Sequence, residues 1–412
     1  MIKKMNNTLY RRMAYLSIAL LLSSFSFLFS KNDKTVLLIS LDGFRYDYID
    51  RGYTPTLAKF GEDGVRTMYL QPAYPSSTFP NHLSIVTGMY PMNHGIIAND
   101  FTEYESGKKF TIRDTAAKFD SYWYLGERFW ETCKKNDVIS ASYFWPGSEL
   151  NVRERQPDYY EVYEHNRDYM ARVNGVLSWL DLPKEKRPQF ITLYFDAPDS
   201  YAHRYGTESR ELNKAIQDLD SVINELFIGL KERNLYDEIN IIIVSDHGMA
   251  EMSKDRVIEV DKIIPEEFAE VTSHTAYSLI EPKEGYLEKV KELLRKNQKN
   301  YKFYDRDSIP ERYNYFKNKR ISKIVMITDC GWALSYKHKW SDKYVASHGY
   351  DNKCKDMQGF MIAKGPDFKS NYKSAGLMNI DIYPLLAKIL DIKYYHKIDG
   401  DLNRIIHILE NE

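Results

Sequence analysis

Three carboxylates and three imidazoles in this chain stand in short motifs that suit metal binding. Asp199 and His203 are four residues apart in DAPDSYAHRYG, and this spacing places both side chains on one face of a helical turn, as two ligands of a single metal ion require. The other four are Asp42 in SLDGFR, Asp246 and His247 in VSDHGM, and His348 in ASHGYD. Nitrogen and oxygen donors without thiolate suit Zn²⁺ best, Mn²⁺ or Fe²⁺ less well, and Mg²⁺ or Ca²⁺ poorly.

A row of hydroxyls stands in the stretch YPSSTFPNH at residues 74–82, where Ser76, Ser77 and Thr78 are consecutive. Ser and Thr favour helix N-caps and Pro favours the first helical turn, so this stretch alone predicts no more than the start of a helix. A metal ion would add a chemical role, because coordination lowers the pKa of an alcohol and supplies an alkoxide nucleophile without a general base.

Three apolar, β-branched runs predict the strands that position these motifs. They are TVLLISLD (35–42), QFITLYFD (189–196) and INIIIVSD (239–246), and each ends in an acidic residue. Nearly continuous apolar runs are typical of strands buried on both faces, and helical patterns between them predict an α/β fold with a parallel sheet. Ligand sites in such sheets gather at the carboxyl ends of the strands, so Asp42, segment 196–203 and Asp246-His247 are expected at one edge.

Each motif alone also has an ordinary structural explanation. A strand-end Asp commonly caps the next helix, an Asp–His pair four residues apart is often a surface pair, and Asp-His-Gly commonly forms a turn. The joint occurrence favours a metal site, because independent caps need not all fall at one sheet edge. Seven of the ten histidines, among them His82, His94 and His165, are expected to be structural or surface residues.

Composition indicates a globular chain: 412 residues are 43% hydrophobic and 28% charged, enough for one large domain with insertions or for two smaller ones. A formal net charge of -1 argues against a nucleic-acid groove or a polybasic membrane patch. Segments 100–185 and 250–345 are rich in Tyr, Lys and Glu and lack comparable strand runs. We expect them to be insertions or a cap over the functional edge.

The N-terminus predicts export. Basic residues precede an uncharged run of 16 residues (14–29), which is typical of a secretory signal and shorter than a membrane span of about 20 residues. Residues 1–30 are therefore a signal peptide or an uncleaved anchor, and residues 31–412 a single exported domain. The absence of an Asn-x-Ser/Thr sequon from this domain favours a bacterial periplasm. Cys330 with Cys354 is the expected disulfide, which leaves Cys133 free.

Taken in order, the motifs resemble the nucleotide pyrophosphatase/phosphodiesterase family of the alkaline phosphatase superfamily. The resemblance rests on SLDGFR, YPSSTFPNHLSIVTGMYPMNHGIIAND, YFDAPDSYAHRYG, VSDHGM and ASHGYD, with support from FWPGSEL, ISKIVMITDCGWAL and MIAKGPDF. It covers nearly the whole exported chain. It implies an alkaline phosphatase-like α/β fold, in which helices flank a central, mostly parallel sheet with inserted cap segments. It also implies a stand-alone catalytic domain.

The resemblance further assigns roles to individual residues. Thr78 matches the family's nucleophile, Asn99 matches the residue that holds a phosphate oxygen, and Phe79 and Tyr194 match the aromatic pair that sandwiches a nucleobase. The implied cofactors are two Zn²⁺ ions per chain. One zinc would be held by Asp199, His203 and His348, and the other by Asp42, Asp246, His247 and the Thr78 oxygen.

The implied activity is hydrolysis of phosphodiester and pyrophosphate bonds in small nucleotides, which yields nucleoside 5′-monophosphates through a phosphothreonine. Three alternatives stay open: a lysophospholipase C-like phosphodiesterase on choline lipids, a phosphomonoesterase, and a non-catalytic binder of metal or nucleotide. A sulfatase is disfavoured, because the one match to the Cys/Ser-x-Pro-x-Arg signature, SIPER at residues 308–312, lies outside the metal-binding motifs. The membrane is an expected partner only if the N-terminal segment stays uncleaved, and the residues predict no oligomeric state.

Overall fold

An eight-stranded sheet forms the centre of the protein. The computed structural model describes residues 34–337 and 343–410, so the expected signal or anchor at residues 1–30 lies outside the described residues. The strands lie in the order Tyr372–Ser374, Val65–Thr67, Met361–Lys364, Asn240–Val244, Val36–Leu41, Phe190–Phe195, Ser140–Tyr143 and Tyr159–Glu161. Neighbouring strands run parallel except at Met361–Lys364, which is antiparallel to both neighbours. The expected mostly parallel α/β sheet is confirmed.

The continuous apolar runs arise because the sheet is covered on both faces. In strand Val36–Leu41, Val36 and Leu38 pack into one apolar cluster, whereas Leu37 and Ile39 pack into another. Successive side chains of a strand point to opposite faces, so a strand with apolar residues at every position needs a core on each side.

Helices pack against both faces of the central sheet. One face carries Thr78–Thr87, Phe129–Lys135 and Ile382–Ile389, and the other carries Pro55–Asp63, Tyr169–Leu180 and Arg210–Glu232. The longest of them begins where the Ser209 hydroxyl accepts a hydrogen bond from the Leu212 N–H, an N-cap of the kind that Ser provides. Shorter α-helices span Pro91–His94, Thr115–Phe119, Asp199–Tyr205, Val260–Ile263 and Leu287–Lys296.

Segment 250–345, which we expect to be an insertion or a cap, contains a sheet of its own. Four antiparallel strands lie in the order Ala269–His274, Tyr277–Pro282, Ile324–Thr328 and Tyr301–Asp305. Helix Leu287–Lys296 contributes to the apolar cluster of this sheet. The sequence does not predict this sheet, because outer strands such as Ala269–His274 are half-exposed and carry polar residues, so they lack a continuous apolar run.

Segment 100–185 is likewise not only an insertion, because strands Ser140–Tyr143 and Tyr159–Glu161 extend the central sheet. Short strand pairs complete the described part of the chain: Leu70–Gln71 with Leu377–Met378, Asp100–Glu103 with Lys108–Thr111, Ala250–Glu251 with Ala346–Ser347, and Val257–Glu259 with Ala333–Ser335.

The register of the central strands explains how acidic residues meet at one edge. Ser40 pairs with Tyr194 on one side and with Val244 on the other. Two residues further along each of the three parallel strands stand Asp42, Asp196 and Asp246. The predicted convergence at the carboxyl ends is therefore confirmed.

The expected disulfide between Cys330 and Cys354 is present, and Cys133 is a buried free thiol. The bridge closes a loop with a sequence separation of 24 residues. It joins the turn after strand Ile324–Thr328 to the segment that follows His348, and so links the smaller sheet to the functional edge.

We predict that replacing both bridged cysteines by alanine lowers the free energy of unfolding by about 3 kcal/mol, because the unfolded chain regains the entropy of an open loop of this size. Denaturant unfolding of the wild type and the double variant measures the change. Dithiothreitol should destabilise the wild type and leave the Cys330→Ala/Cys354→Ala variant unaffected. Equal sensitivity of both proteins to the reductant would contradict a stabilising bridge.

Candidate active site

A close approach at Gly43 brings three carboxylates together. Gly43 follows Asp42 with φ of 67°, and its N–H donates to Oδ1 of Asp246 at 3.1 Å. A Cβ at this position would lie 2.9 Å from the Cβ of Asp199. A side chain here would meet both a left-handed backbone conformation and a steric clash, so the Asp-Gly pair at the strand end requires glycine.

The three carboxylates are short of partners. Asp42 Oδ1, Asp199 Oδ1 and Asp246 Oδ2 are each buried and accept no hydrogen bond from the described residues. Burial, together with the neighbouring carboxylates of Asp246 and Asp199, raises the pKa of Asp42 well above its ordinary value. Burial opposes ionisation of Asp246, but His247 and His82 hold its pKa below the ordinary value. Buried oxygens in such a cluster fit a cation, which would supply the missing positive charge.

Three imidazoles are oriented as metal ligands. The Nδ1 atoms of His203, His247 and His348 lie 2.8, 2.8 and 2.9 Å from the backbone carbonyls of Ala346, Gly248 and Ser76, respectively. A carbonyl only accepts, so each Nδ1 carries the proton and donates it. Each Nε2 therefore keeps its lone pair for a metal ion, in the arrangement that ligating histidines commonly show.

The candidate ligand atoms form two adjoining groups. In one, His247 Nε2 lies 3.6 Å from Asp42 Oδ1 and 3.1 Å from Asp246 Oδ2. In the other, Asp199 Oδ1 lies 3.5 Å from His203 Nε2 and 3.7 Å from His348 Nε2.

The rings of His247 and His348 stack with centroids 3.7 Å apart, and His247 also has a ligand atom within 4.8 Å of Asp199 and His348. The structure thus brings all six expected ligands to one edge, with His247 between the two groups.

Thr78 is the hydroxyl residue of the YPSSTFPNH stretch that contacts this cluster. It is the first residue of helix Thr78–Thr87, and its Oγ1 lies 3.3 Å from His247 Nε2. Ser76 instead donates to the Tyr350 carbonyl, and the Ser77 side chain makes no capping hydrogen bond to the helix. Capping therefore does not account for the row of hydroxyls.

His82, which is expected to be a structural or surface residue, supports the backbone of Thr78. The buried imidazole donates from Nδ1 to the Thr78 carbonyl at 2.9 Å, and its Nε2 lies 2.8 Å from the Ser40 hydroxyl. Its Nδ1 is also 3.3 Å from Asp246 Oδ2. His82 thus fixes the backbone of Thr78, and its position four residues after Thr78 on one helix was the available signal.

Asn99 lies beside the start of the same helix. Its Oδ1 accepts a hydrogen bond from the Phe79 N–H at 3.0 Å. This contact fixes the orientation of the amide and leaves the NH₂ group as the donor, which is what a role at a phosphate oxygen requires.

Tyr194 has a contact that its expected stacking role did not include. Its hydroxyl donates to Asp42 Oδ2 at 2.6 Å, and the residue is only 7% exposed. Tyr194 therefore orients a candidate metal ligand, and its stacking on a base stays a prediction.

A cavity of about 260 Å³ opens beside Thr78. Its lining includes Phe79, Tyr194 and a further ring, Tyr163, which the sequence does not single out. Tyr163 packs against Tyr194 with ring centroids 6.1 Å apart, and its hydroxyl contacts His165 Nδ1 at 3.0 Å. No signal separated Tyr163 from the 33 tyrosines of the sequence, since it lies outside regular structure, just after strand Tyr159–Glu161.

Comparison with known proteins agrees with these features. The family model for Type I phosphodiesterase / nucleotide pyrophosphatase matches residues 36–351. A Schizosaccharomyces pombe protein described as an uncharacterized pyrophosphatase/phosphodiesterase is 38% identical over 375 residues, which cover 87% of this chain and 77% of that protein. The chain belongs to this family, whose named relatives are hydrolases.

Human ectonucleotide pyrophosphatase/phosphodiesterase family member 1 is 34% identical over 91% of this chain, and the match covers 42% of the human protein. The chain thus spans under half the length of that relative. Among solved structures, murine ectonucleotide pyrophosphatase/phosphodiesterase 5, an inactive threonine-to-alanine variant in complex with AMP, superposes with a TM-score of 0.87 at 30% identity. That match covers 92% of this chain and all of the murine chain.

We predict that Tyr194→Phe weakens metal binding about 10- to 100-fold, because it removes a hydrogen bond that orients the Asp42 carboxylate. Competition with a chromogenic chelator measures the affinity. Tyr163→Phe is the matched control, since its hydroxyl contacts His165 rather than a candidate ligand. Identical metal release from wild type and Tyr194→Phe would contradict the orienting role.

Proposed function

We propose that this protein is an exported, zinc-dependent nucleotide pyrophosphatase/phosphodiesterase that releases nucleoside 5′-monophosphates through a phosphothreonine at Thr78. The observation that carries the proposal is the contact of the Thr78 hydroxyl with a partly buried cluster of three carboxylates and three imidazoles. The murine structural relative supports it, because that protein was studied with AMP bound and as an inactive threonine-to-alanine variant.

Two Zn²⁺ ions are the proposed cofactors. The residues that would hold one are Asp199, His203 and His348, and those that would hold the other are Asp42, Asp246, His247 and Thr78. The donor set supports zinc, since imidazole nitrogen and carboxylate oxygen without thiolate suit this ion better than Mg²⁺ or Ca²⁺. When bound, the ions supply Lewis-acid stabilisation of the charges that develop on the reacting oxygens.

The protein's own groups prepare the substrate for an in-line displacement. The positive end of the helix dipole at Thr78 favours an anion, and the Asn99 amide donates to a phosphate oxygen. The rings that line the cavity beside Thr78 hold the nucleoside, so that phosphorus lies within reach of Thr78 Oγ1.

The reaction then proceeds in two steps at phosphorus. The Thr78 hydroxyl gives up its proton to solvent, and its oxygen forms a bond to phosphorus while the bond to the leaving oxygen breaks and the leaving group departs with the displaced electron pair. Water then attacks the phosphothreonine from the vacated side and loses a proton, the bond between the Thr78 oxygen and phosphorus breaks, the Thr78 oxygen takes up a proton, and the nucleoside 5′-monophosphate is released. His82 keeps the Thr78 backbone in place through both steps, because its Nδ1 donates a hydrogen bond to the Thr78 carbonyl.

A phosphodiesterase on choline lipids is the second candidate, and the cavity beside Thr78 gives one argument for it. Aromatic rings and the carboxyl group of Glu149 line this cavity, and such a lining suits a quaternary ammonium group. Two features favour the nucleotide instead. Burial raises the pKa of Glu149 and so weakens its attraction for a cation, and Lys118 in the same lining repels one.

Export is proposed from the N-terminal pattern and from the relatives. Ectonucleotide enzymes and a venom phosphodiesterase of Naja atra are among the proteins that this chain resembles. None of the described helices combines the length and the apolar character that a membrane span needs. We propose a location in the periplasm or outside the cell, and the absence of glycosylation sequons from residues 31–412 favours the periplasm.

We expect Thr78→Ala to lower turnover of a nucleotide diester by more than about a thousandfold, because losing the nucleophile costs at least this much. Thr78→Ser should retain measurable turnover, since the attacking oxygen survives. Mass spectrometry of acid-quenched wild type during turnover should detect a phosphoryl group on the peptide that contains Thr78. A Thr78→Ala rate above a thousandth of the wild-type rate would exclude this nucleophile.

Phe79→Ala should lower kcat/KM for a nucleotide diester about 5- to 150-fold, the range expected for loss of one base-stacking contact. Methyl p-nitrophenyl phosphate has no base and should be affected less than twofold, since Thr78 and the candidate ligands are unchanged. Lysophosphatidylcholine is assayed in parallel. Equal losses on both diesters would make Phe79 a packing residue, and faster turnover of the lipid would favour the second candidate.

A further inference from the structure

The segment that carries Asn99 has no regular secondary structure. It follows helix Pro91–His94 and ends where strand Asp100–Glu103 begins. Such a segment lacks the repeating backbone hydrogen bonds of a helix or a sheet, so individual contacts must fix its course. One of them is the hydrogen bond that the Ile112 N–H donates to the Asn99 carbonyl at 3.1 Å. Two more come from segment 250–345, which is distant in the sequence.

Tyr315 fixes the backbone on one side of Asn99. Its hydroxyl donates a hydrogen bond to the carbonyl of Ile97, two residues before Asn99, at 3.0 Å. The Tyr315 side chain is fully buried, and its ring packs edge-on against Tyr74 with centroids 5.2 Å apart. Because a tightly packed interior leaves the ring little room to turn, the hydroxyl has a fixed position.

His274 fixes the backbone on the other side. It ends strand Ala269–His274, and its Nε2 lies 2.9 Å from the carbonyl of Asp100, the residue after Asn99. A carbonyl only accepts, so Nε2 carries the proton and donates it. Burial lowers the pKa of His274, which keeps the ring neutral at neutral pH. The ring also stacks on Tyr277 with centroids 4.4 Å apart, so its plane is set.

We propose that His274 and Tyr315 are positioning residues for Asn99, whose amide they hold at the phosphate oxygen through the backbone on either side. The inference rests on the proposed function, because the role of Asn99 at that oxygen is part of it. Neither His274 nor Tyr315 lines the cavity beside Thr78, so both act through Asn99 rather than on the substrate.

A preset amide is what this chemistry needs. A hydrogen-bond donor stabilises an oxygen that gains charge only when it is already aimed at that oxygen, and a small displacement weakens the effect. The four-stranded sheet that His274 belongs to contains none of the six candidate metal ligands. Its contribution to the reaction is therefore to hold the segment of Asn99.

Tyr315→Phe tests the proposal with little change in packing, because it removes a single oxygen atom. We expect it to lower kcat/KM for the p-nitrophenyl ester of AMP about three- to tenfold, the range for one lost hydrogen bond. Asn99→Ala removes the donor itself and should cost about a hundredfold or more. Tyr301→Phe is the matched control, because its buried hydroxyl also donates to a backbone carbonyl, that of Leu294, and should change the rate less than about twofold.

The same assay tests His274. His274→Ala should lower kcat/KM about three- to tenfold, whereas His274→Gln should stay within about twofold of the wild type, because it keeps an N–H donor near the position of Nε2. Thermal unfolding of each variant shows whether it is folded at the assay temperature.

Two further readouts separate positioning from a general structural role. In the Asn99→Ala background, Tyr315→Phe should cost less than about twofold, since no amide is left to position. Sulfur accepts hydrogen bonds weakly, so the phosphorothioate ester whose sulfur faces Asn99 reacts with a rate penalty that Asn99→Ala reduces. Tyr315→Phe should reduce the same penalty in part, and Tyr301→Phe should leave it unchanged.

Three results would overturn the positioning role: an equal loss from Tyr315→Phe in both backgrounds, a loss no larger than that of Tyr301→Phe, or an unchanged penalty for sulfur. Failure of the proposed function looks different. In that case the wild type releases no AMP from the ester, or Asn99→Ala retains full activity.

Discussion

Buried, uncompensated negative charge at one sheet edge is the constraint on which the rest of the site depends. Asp42, Asp199 and Asp246 each keep an oxygen that is buried and accepts no hydrogen bond from the described residues. Isolated carboxylates of this kind are costly in a low-dielectric interior, because each has lost its water shell. Two divalent cations would bring four positive charges against three negative ones, and the remaining charge would complement a phosphodiester. Binding of substrate and stability of the site therefore have a common electrostatic origin.

The fold holds this cluster mainly through its backbone. Strand register sets the places of Asp42 and Asp246, and main-chain carbonyls fix the proton positions of all three imidazoles. Side chains add further hydrogen bonds. The Tyr194 hydroxyl orients Asp42, and the buried Arg172 guanidinium donates from Nη2 to Asp196 Oδ1 at 3.0 Å. A site built on strand ends and supported in this way is pre-organised, since little has to move when charge develops during phosphoryl transfer.

The candidate ligands were predictable from the sequence because strand ends carry a local signal. A continuous apolar run followed by an acidic residue, as at Asp42 and Asp246, predicts a buried strand and places the acidic residue at the carboxyl edge of the sheet. His82 and Tyr163 were not predictable by the same reasoning, because their roles depend on contacts made by residues distant in sequence. The sheet that contains Ala269–His274 was missed for another reason: its outer strands are half-exposed, so polar residues interrupt the apolar pattern.

The most direct test of the central claim is anomalous diffraction from crystals of the exported domain grown with zinc and measured above and below the zinc absorption edge. Two anomalous difference peaks are expected at the carboxyl edge of the central sheet. One should lie among Asp42, Asp246 and His247. The other should lie among Asp199, His203 and His348. A single peak, no peak, or peaks away from these side chains would contradict a two-metal site.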